Sequence, residues 1–305
     1  MPSLGRVPHG GWSHRLELRR LVAQGSYPWY FARDKLALLS LAIILLVAAG
    51  SALAPWLPYA EQGAGSPNPA EAFRNPSAQH FFGTDNLGRD QFARILYGGR
   101  VSLILAIAVV GLSAVIGTVL GAVAGYVGGW VDEAIMRFTD MVLAFPSLVL
   151  ALVLGAILGP SLINLILAIS LVWWPWYTRL VRGQATSVRE RQYVLAARSI
   201  GASRLWIIRR HILPNVLGPV RIQATYDFGA AILAGSALSF LGLGPQPPVA
   251  DWGSMISTGR QYALTGEWWL AVFPGLAILV TVLAFNIVGD RIQTLADPRS
   301  RREMT

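Results

Sequence analysis

The chain contains no cysteine, which excludes a disulfide framework and any thiolate metal site. Its four histidines (His9, His14, His80 and His211) are scattered, and none of their spacings suggests a metal cluster. Charge is also scarce, because 13% of the residues are charged whereas soluble domains contain about a quarter. These shortages predict no resident metal or cofactor, and they exclude an ordinary soluble domain.

Catalytic motifs are missing as well. The sequence has no phosphate-binding loop of the form G-x-x-x-x-G-K-[ST], no nucleophile elbow and no H-E-x-x-H pair. No apolar run carries the central row of Asp, Glu or His that a proton-coupled transporter uses. We therefore expect no catalytic residues and no energy source within this chain.

Long apolar runs dominate the sequence instead. Hydrophobic residues make up 54% of the chain, and the mean hydropathy is +0.49. Runs with few or no charges cover residues 36–60, 101–131, 141–178, 216–243 and 268–289. A helix needs about 20 residues to cross the hydrocarbon core, so the third run is too long for one helix. Gly159-Pro160 divides that run, and the sequence predicts an all-α integral membrane protein with six transmembrane helices.

The distribution of Lys and Arg predicts the orientation of these helices. Twenty of the 25 basic residues lie in the N-terminal segment, the loop 179–216, the C-terminal tail and the adjoining helix ends. Cytoplasmic segments carry such an excess, so both termini and the loop 179–216 are expected in the cytoplasm. The same asymmetry explains the pI of about 10.4 without nucleic acid as a partner.

A ladder of small residues marks the second run. Gly117, Gly121 and Gly125 are spaced by four, which puts them on one helix face where another helix can approach closely. We expect them to serve helix packing, and a role in lining a transport path is the alternative.

Prolines and a few charges interrupt the apolar runs. An ionisable group inside a membrane is a functional candidate, but these charges are expected near cytoplasmic helix ends, where they reach the interface. The prolines are expected to cause fixed bends or movable kinks. The charges are Asp132, Arg137, Asp140, Arg221 and Asp227, and the prolines are Pro146, Pro175 and Pro274.

A basic amphipathic segment, residues 191–214, separates two of the apolar runs. Its arginines keep it in the aqueous phase. Residues 192–199 and 202–212 have the pattern of two short helices, Gly201 allows the chain to turn between them, and Pro214 is expected to end the second. We call this helix pair, residues 192–213, the knob. It predicts a docking site for a soluble partner, and the alternative is a basic helix pair lying on the membrane surface.

This segment resembles the E-A-A loop of ABC-importer permeases, in which E-A-A is followed by a glycine and a hydrophobic-proline ending. Leu195 stands where the glutamate is most common. The resemblance implies that the knob docks on an ATPase and couples its motion to transport. The residues expected to take part are Leu195, Ala196, Ala197, Arg198, Gly201, Ala202, His211, Leu213 and Pro214.

A second stretch, residues 80–90 continuing to 98–103, resembles the H-P-L-G-T-D-x-L-G-R-D…G-x-R-x-S-L signature of the dipeptide/oligopeptide/nickel permease family. Phe81 replaces the usual proline. The stretches 237–248, 251–253, 286–290 and 297–298 match the same family. The glycines and acids of the signature predict a tight hydrogen-bonded turn, followed by a helix over 91–97 at the outer surface. The turn residues are Gly83, Thr84, Asp85, Gly88, Arg89 and Asp90.

The resemblance implies a bacterial inner-membrane permease with the type I ABC importer fold. Its implied partners are a second permease subunit, cytoplasmic ATP-binding subunits, an extracytoplasmic solute-binding protein and the lipid bilayer. The expected organisation is an N-terminal part (1–98), a five-helix domain with the coupling loop (99–289) and a cytoplasmic tail (290–305). Peptides are the favoured substrate, with nickel, glutathione and opines as alternatives. From the residues alone, three other classes of protein remain alternatives: a secondary transporter, a channel and a membrane enzyme.

Overall fold

A computed structural model describes residues 34–56 and 66–296. Within these residues the fold is helical and has no β-strand, and a single isolated bridge pairs Thr84 with Asp90. The helices are α1 (Lys35–Leu53), α2 (Gln91–Val127), α3 (Gly129–Leu143), α4 (Ser147–Leu158), α5 (Leu162–Arg189), α6 (Gln192–Ser199), α7 (Arg204–Ile207), α8 (Leu213–Phe240), α9 (Trp252–Tyr262) and α10 (Trp269–Ala296). One short 3₁₀ turn, Ala54–Trp56, follows α1, and another covers Pro69–Glu71. A π-helical turn covers Ile208–Ile212.

Three of the described helices are long and apolar enough to cross a membrane by length and composition. They are Lys35–Trp56, Gln91–Val127 and Trp269–Thr294. The pair α3 and α4 adds a fourth if it forms one span, although its two helices meet at 87°. Helices α5 and α8 have 28 residues each, about 42 Å at 1.5 Å per residue, but polar and charged residues interrupt their apolar sequence.

Large apolar side chains cover the outer faces of these helices. Large apolar side chains on four helices are at least 60% exposed, namely Leu46, Ile107, Val115, Ile157 and Ile163. A water-facing surface rarely exposes so many large apolar groups, whereas the acyl chains of a bilayer favour them. This surface agrees with a multi-pass membrane protein.

The glycine ladder lies against α5 of the same chain. A Cβ atom at Gly121 would come within 2.6 Å of the Thr178 carbonyl oxygen, and one at Gly125 within 2.6 Å of the Arg182 carbonyl oxygen. A Cβ at Gly117 would collide with Tyr177 and Trp174. Helix α2 therefore approaches the backbone of α5 along two turns, and the ladder does not present an open face to another subunit.

Helix α2 begins earlier than the sequence suggests. The expected short helix over 91–97 is part of α2, which runs without a break through Gly98 and Gly99. Both glycines pack under the indole of Trp252, where a Cβ atom would come within 2.9 Å of the ring. The Trp252 Nε1–H also donates to the Ile95 carbonyl oxygen at 2.9 Å. Tertiary packing thus requires glycine here and keeps the helix intact, so the 98/99 division of the chain falls inside α2.

Of the three prolines expected to cause kinks, Pro146 alone lies between two helices. Helix α3 ends at Leu143 and α4 starts after Pro146, which produces the 87° bend. Gly159, with φ +85°, ends α4 and allows the turn into α5 that the sequence predicts. Pro175 and Pro274 lie inside the continuous helices α5 and α10.

Two apolar cores hold the helices together. The larger core contains Leu105, Val109, Ile169, Ile232 and Trp252, which join α2, α5, α8 and α9. The smaller core lies at the other end of these helices, below the knob. It is the smaller core that fixes the position of the candidate functional surface.

Candidate functional site

The knob begins as two helices separated by a turn, as the sequence predicts. Helix α6 ends in a Schellman motif, in which the Gly201 amide donates to the Arg198 carbonyl oxygen and the Ala202 amide to the Ala197 carbonyl oxygen, both at 3.1 Å. Gly201 has φ +83°, which L-residues with a side chain rarely adopt. A Cβ atom at this position would meet no atom within 4 Å. A larger residue at this position would not push the two helices apart, since the constraint on Gly201 comes from its backbone alone.

Pro214 does not end the second knob helix, contrary to the sequence prediction. Helix α7, the π-helical turn Ile208–Ile212 and α8 follow one another without a loop. Pro214 lies in the first turn of α8, where its missing N–H matters least. The π turn shifts the hydrogen-bonding register, and the Asn215 side-chain amide donates to the His211 carbonyl oxygen at 2.6 Å. The knob is consequently joined to the next long helix without an intervening loop.

The smaller core anchors the inner face of the knob. Val194 of α6, Ile207 of α7 and Ile212 of the π turn are each at most 1% exposed. They pack with residues at the ends of three long helices: Ala122 and Tyr126 of α2, Val181, Ala185 and Val188 of α5, and Val216 of α8. A displacement of the knob must therefore move these helix ends or open an apolar core.

The nine predicted coupling residues lie in three environments. Ala197 is 7% exposed and belongs to the smaller core, so its side chain packs inside this chain. Ala202, His211 and Leu213 are half-buried. Leu195, Ala196, Arg198, Gly201 and Pro214 are exposed.

An apolar patch at the tip of the knob was missed by the sequence analysis. Ile200, Leu205 and Trp206 are 85%, 64% and 48% exposed. Trp206 and Tyr193 both contact the imidazole of His211, with ring centroids 5.1 and 5.5 Å away. The signal was present, because these large apolar residues interrupt a segment that is otherwise rich in arginine. An exposed apolar patch on a basic knob is the kind of surface that a soluble protein binds.

Ion pairs fix the helices next to the knob. Arg182 of α5 donates to both oxygens of Asp132 on α3, the second at 2.7 Å. Arg179 donates to Asp140 at 2.6 Å. A cavity of about 370 Å³ lies between the knob and the ends of α2 and α5, and Arg189, Arg198 and Arg204 line it. Three of the five charges in the apolar runs thus lie on α3. Asp132 and Asp140 pair with arginines of α5, and Arg137 is exposed.

The outer turn, residues 80–90, lies at the opposite end of α2 and has the tight geometry that the sequence predicts. Asp85 accepts backbone hydrogen bonds from Leu87 and Arg89 at 2.9 Å, and its second oxygen pairs with the Arg89 guanidinium at 2.7 Å. Asp90 caps the start of α2 by accepting from the Ala93 amide at 2.9 Å. Gly83 and Gly88 have φ values of +75° and +73°.

All six signature residues of the outer turn are buried. Their neighbours are protein groups: the Trp269 indole donates to the Thr84 carbonyl oxygen at 3.2 Å, and Gln91 donates to the Leu270 carbonyl oxygen at 3.1 Å. His80 bridges Asp90 and Glu71 at 2.9 and 3.0 Å. The turn therefore clamps α2 to α10 at this end of the molecule.

A pocket of about 580 Å³ opens between α4, α5 and α8. Trp173, Trp176 and Arg179 of α5 and Gln223 and Asp227 of α8 line it, with Ser147 at the start of α4. Asp227 was expected near a helix end, but it is the fifteenth of the 28 residues of α8, because that helix begins at Leu213. We call this cavity the tryptophan pocket. Trp176 and Asp227 are 51 positions apart, so no local pattern could have joined them.

Comparison with known proteins identifies the family. Residues 117–302 match the family described as binding-protein-dependent transport system inner membrane component. Residues 29–76 match the N-terminal TM domain of oligopeptide transport permease C. The chain belongs to this permease family. Its members are membrane subunits of ABC importers that work with ATP-binding subunits and a substrate-binding protein, so the permease is not an enzyme and separate subunits hydrolyse ATP.

Individual relatives match the sequence over most of its length. The permease is 45% identical over 275 residues to a probable D,D-dipeptide transport system permease protein of Escherichia coli K12, covering 89% of this chain and 90% of that protein. It is 39% identical over 284 residues to a glutathione transport system permease protein of Escherichia coli O6:K15:H31, covering 89% and 91%. A chain of the MetNI methionine ABC transporter, in inward-facing conformations, has the same fold, with a TM-score of 0.53, 16% identity, and coverage of 66% of this chain and 96% of that one.

Proposed function

We propose that this permease forms half of the path through which an ATP-driven importer moves di- or oligopeptides across a bacterial inner membrane. The single observation that carries this proposal is the knob, an arginine-rich helix pair that has an exposed apolar patch and is attached without a loop to a long helix. Two kinds of relative support a peptide cargo, since a D,D-dipeptide permease and a glutathione permease both match about nine-tenths of the chain. Glutathione is itself a small peptide, and nickel and opines remain alternatives.

The proposed topology has six spans of the type I importer fold, with both termini and the loop 179–216 in the cytoplasm. The excess of Lys and Arg in these segments supports it. Asp34 at the start of α1 pairs with Arg291 near the end of α10 at 2.7 Å, so the two ends of the described chain lie together. The knob packs on Tyr126 at the end of α2, while the outer turn joins the starts of α2 and α10.

Coupling follows from the way the knob is attached. ATP binding closes the pair of ATP-binding subunits, and the exposed tip of the knob moves with the subunit that holds it. Because Val194, Ile207 and Ile212 bury the inner face of the knob, the ends of α2, α5 and α8 move with it. This motion changes access to the path only if the knob binds differently in the open and closed states of the ATPase.

The other half of the path is proposed to come from a second, different permease subunit. The tryptophan pocket supports this arrangement, because Arg179, Gln223 and Asp227 line it and a lipid-facing surface would leave such polar groups unsatisfied. The glycine ladder takes no part in the pairing, since α5 already occupies it.

A charge at the tip of the knob tests the proposed docking. Leu205→Glu leaves the smaller core untouched, because Leu205 is 64% exposed, and it introduces an unpaired carboxylate into the contact. We expect the permease pair to insert normally while the ATP-binding subunits no longer copurify with it. Leu264→Glu is the matched control, since Leu264 is 98% exposed and lies in the loop before α10 at the other end of the molecule. Normal copurification with Leu205→Glu would contradict docking through this surface.

A further inference from the structure

The tryptophan pocket contains an acidic group that neither the fold nor the coupling uses. Asp227 lies at the middle of α8, and its Oδ1 accepts a hydrogen bond from the Gln223 side chain at 3.0 Å. The hydroxyl of Tyr177 on α5 lies next to the same carboxylate. Among residues 34–56 and 66–296, no Lys, Arg or His lies within ion-pair distance of Asp227.

The arginine that lines the same pocket is already paired with another acid. Arg179 lines the same pocket, but its guanidinium donates to Asp140 of α3 at 2.6 Å. A carboxylate inside a long membrane helix is costly unless a positive charge accompanies it. Asp227 therefore favours a cation that arrives from outside the described chain, in a cavity whose 580 Å³ suits a small solute.

Two indoles complete the surroundings of the acid. The sequence Trp173-Trp174-Pro175-Trp176 contains three tryptophans with different environments. Trp174 is 4% exposed and stacks on Phe138 at 5.6 Å, which is a packing role. Trp173 and Trp176 instead line the pocket, and Trp176 is 57% exposed. Indole faces attract ammonium groups more strongly than other aromatic rings do.

We propose that Asp227, Trp173 and Trp176 form a binding site for the ammonium group of the transported solute, the free amino terminus of a peptide in transit. This inference rests on the proposed function, because it assumes that the pocket belongs to the path. The carboxylate supplies the counter-charge, the Gln223 amide holds that carboxylate in position, and the indoles replace part of the water that the ammonium loses. A solute without a cationic amino group would lack this interaction.

The site can be tested on the assembled importer, purified with its ATP-binding subunits and placed in proteoliposomes. The probe is dialanine with a free amino terminus, and N-acetyl-dialanine is its uncharged counterpart. Tryptophan fluorescence of the importer without binding protein reports occupancy of the pocket. We expect dialanine to change the emission and N-acetyl-dialanine to leave it unchanged, and we expect Asp227→Asn to weaken the dialanine response by about tenfold or more.

Uptake separates this site from the general mechanism. In Asp227→Asn, uptake of dialanine should fall while the loaded binding protein still stimulates ATP hydrolysis. Parallel loss of both, dissociation of the two permeases, or an equal fluorescence response to N-acetyl-dialanine would overturn the proposal. Trp176→Phe should keep more dialanine binding than Trp176→Leu, because phenylalanine retains a π face while both variants remain apolar. Equal behaviour of these two variants would also overturn it. If the wild-type importer took up no peptide at all, the proposed function would fail first, whatever Asp227 does.

Discussion

Replacing Gly201 with valine should uncouple transport from ATP hydrolysis without removing the permease from the membrane. Gly201 has φ +83°, and a side chain there has open space on all sides. The cost of Gly201→Val is therefore the left-handed backbone conformation, about 1–3 kcal/mol for a β-branched residue. Full burial of one aliphatic side chain contributes about 1.5–3 kcal/mol, so this strain is comparable to losing an anchor such as Val194 or Ile207.

Strain of this size acts on the knob and leaves the membrane helices intact. The Schellman hydrogen bonds of Ala202 and Gly201 weaken first, since both depend on the same φ value. A penalty of 1–3 kcal/mol lowers the population of the docked knob about 5–150-fold. None of the long helices contains Gly201, and their hydrophobicity is unchanged, so insertion should proceed as in the wild type.

The assay compares three quantities in the complete importer: membrane abundance of the permease, solute uptake, and stimulation of ATP hydrolysis by loaded binding protein. For Gly201→Val we expect nearly normal abundance with strongly reduced uptake and stimulation. Gly201→Asn is the matched control, because asparagine adopts left-handed backbone conformations more readily than other residues with a side chain. It should retain most of the coupling. Equal coupling in both variants would refute the backbone argument, and an equal loss of abundance and uptake would show a folding role instead.

Two further predictions concern topology and helix packing. A reporter fused after Thr305 or within residues 185–190 should give a cytoplasmic signal, and one within 62–75 an extracytoplasmic signal; an external C-terminus would contradict the six-span arrangement. Gly121→Leu should greatly reduce the amount of folded permease, measured by detergent-resistant membrane abundance, because its side chain would collide with the backbone of α5. Gly111→Leu on the same helix has open space and should be tolerated, so similar losses in both variants would argue against the ladder.

Local signals in the sequence were sufficient for several features. Asp90 marks the start of α2 as a helix cap, and Gly159-Pro160 marks the turn between α4 and α5. Gly201 signals a reversal that needs positive φ, and the structure has φ +83° there. Each of these features depends on a few consecutive residues, which is why pattern and residue chemistry suffice to find it.

Features that depend on distant residues escaped the sequence analysis. Helix α2 continues through Gly98 and Gly99 because Trp252, more than 150 positions later, packs over them. Pro214 was expected to end a helix, but the π turn before it leads directly into α8, with Pro214 in the first turn. The burial of Ala197 depends on the ends of three other helices. Sequence patterns report which residues are apolar, and they do not report which partner covers them.

Helix α7, the π turn and α8 form one uninterrupted helical arm. This arm connects the knob with the tryptophan pocket. Trp206 at the tip and Asp227 in the pocket lie on this single arm, 21 residues or about 30 Å apart. The π turn at Ile208–Ile212 follows the buried Ile207 and contains the buried Ile212, so the smaller core holds this arm near its tip. If this arm moves as one body, a small tilt of the tip displaces the carboxylate. Release of the solute and movement of the ATPase would then be one mechanical event, with no relay of side chains between them.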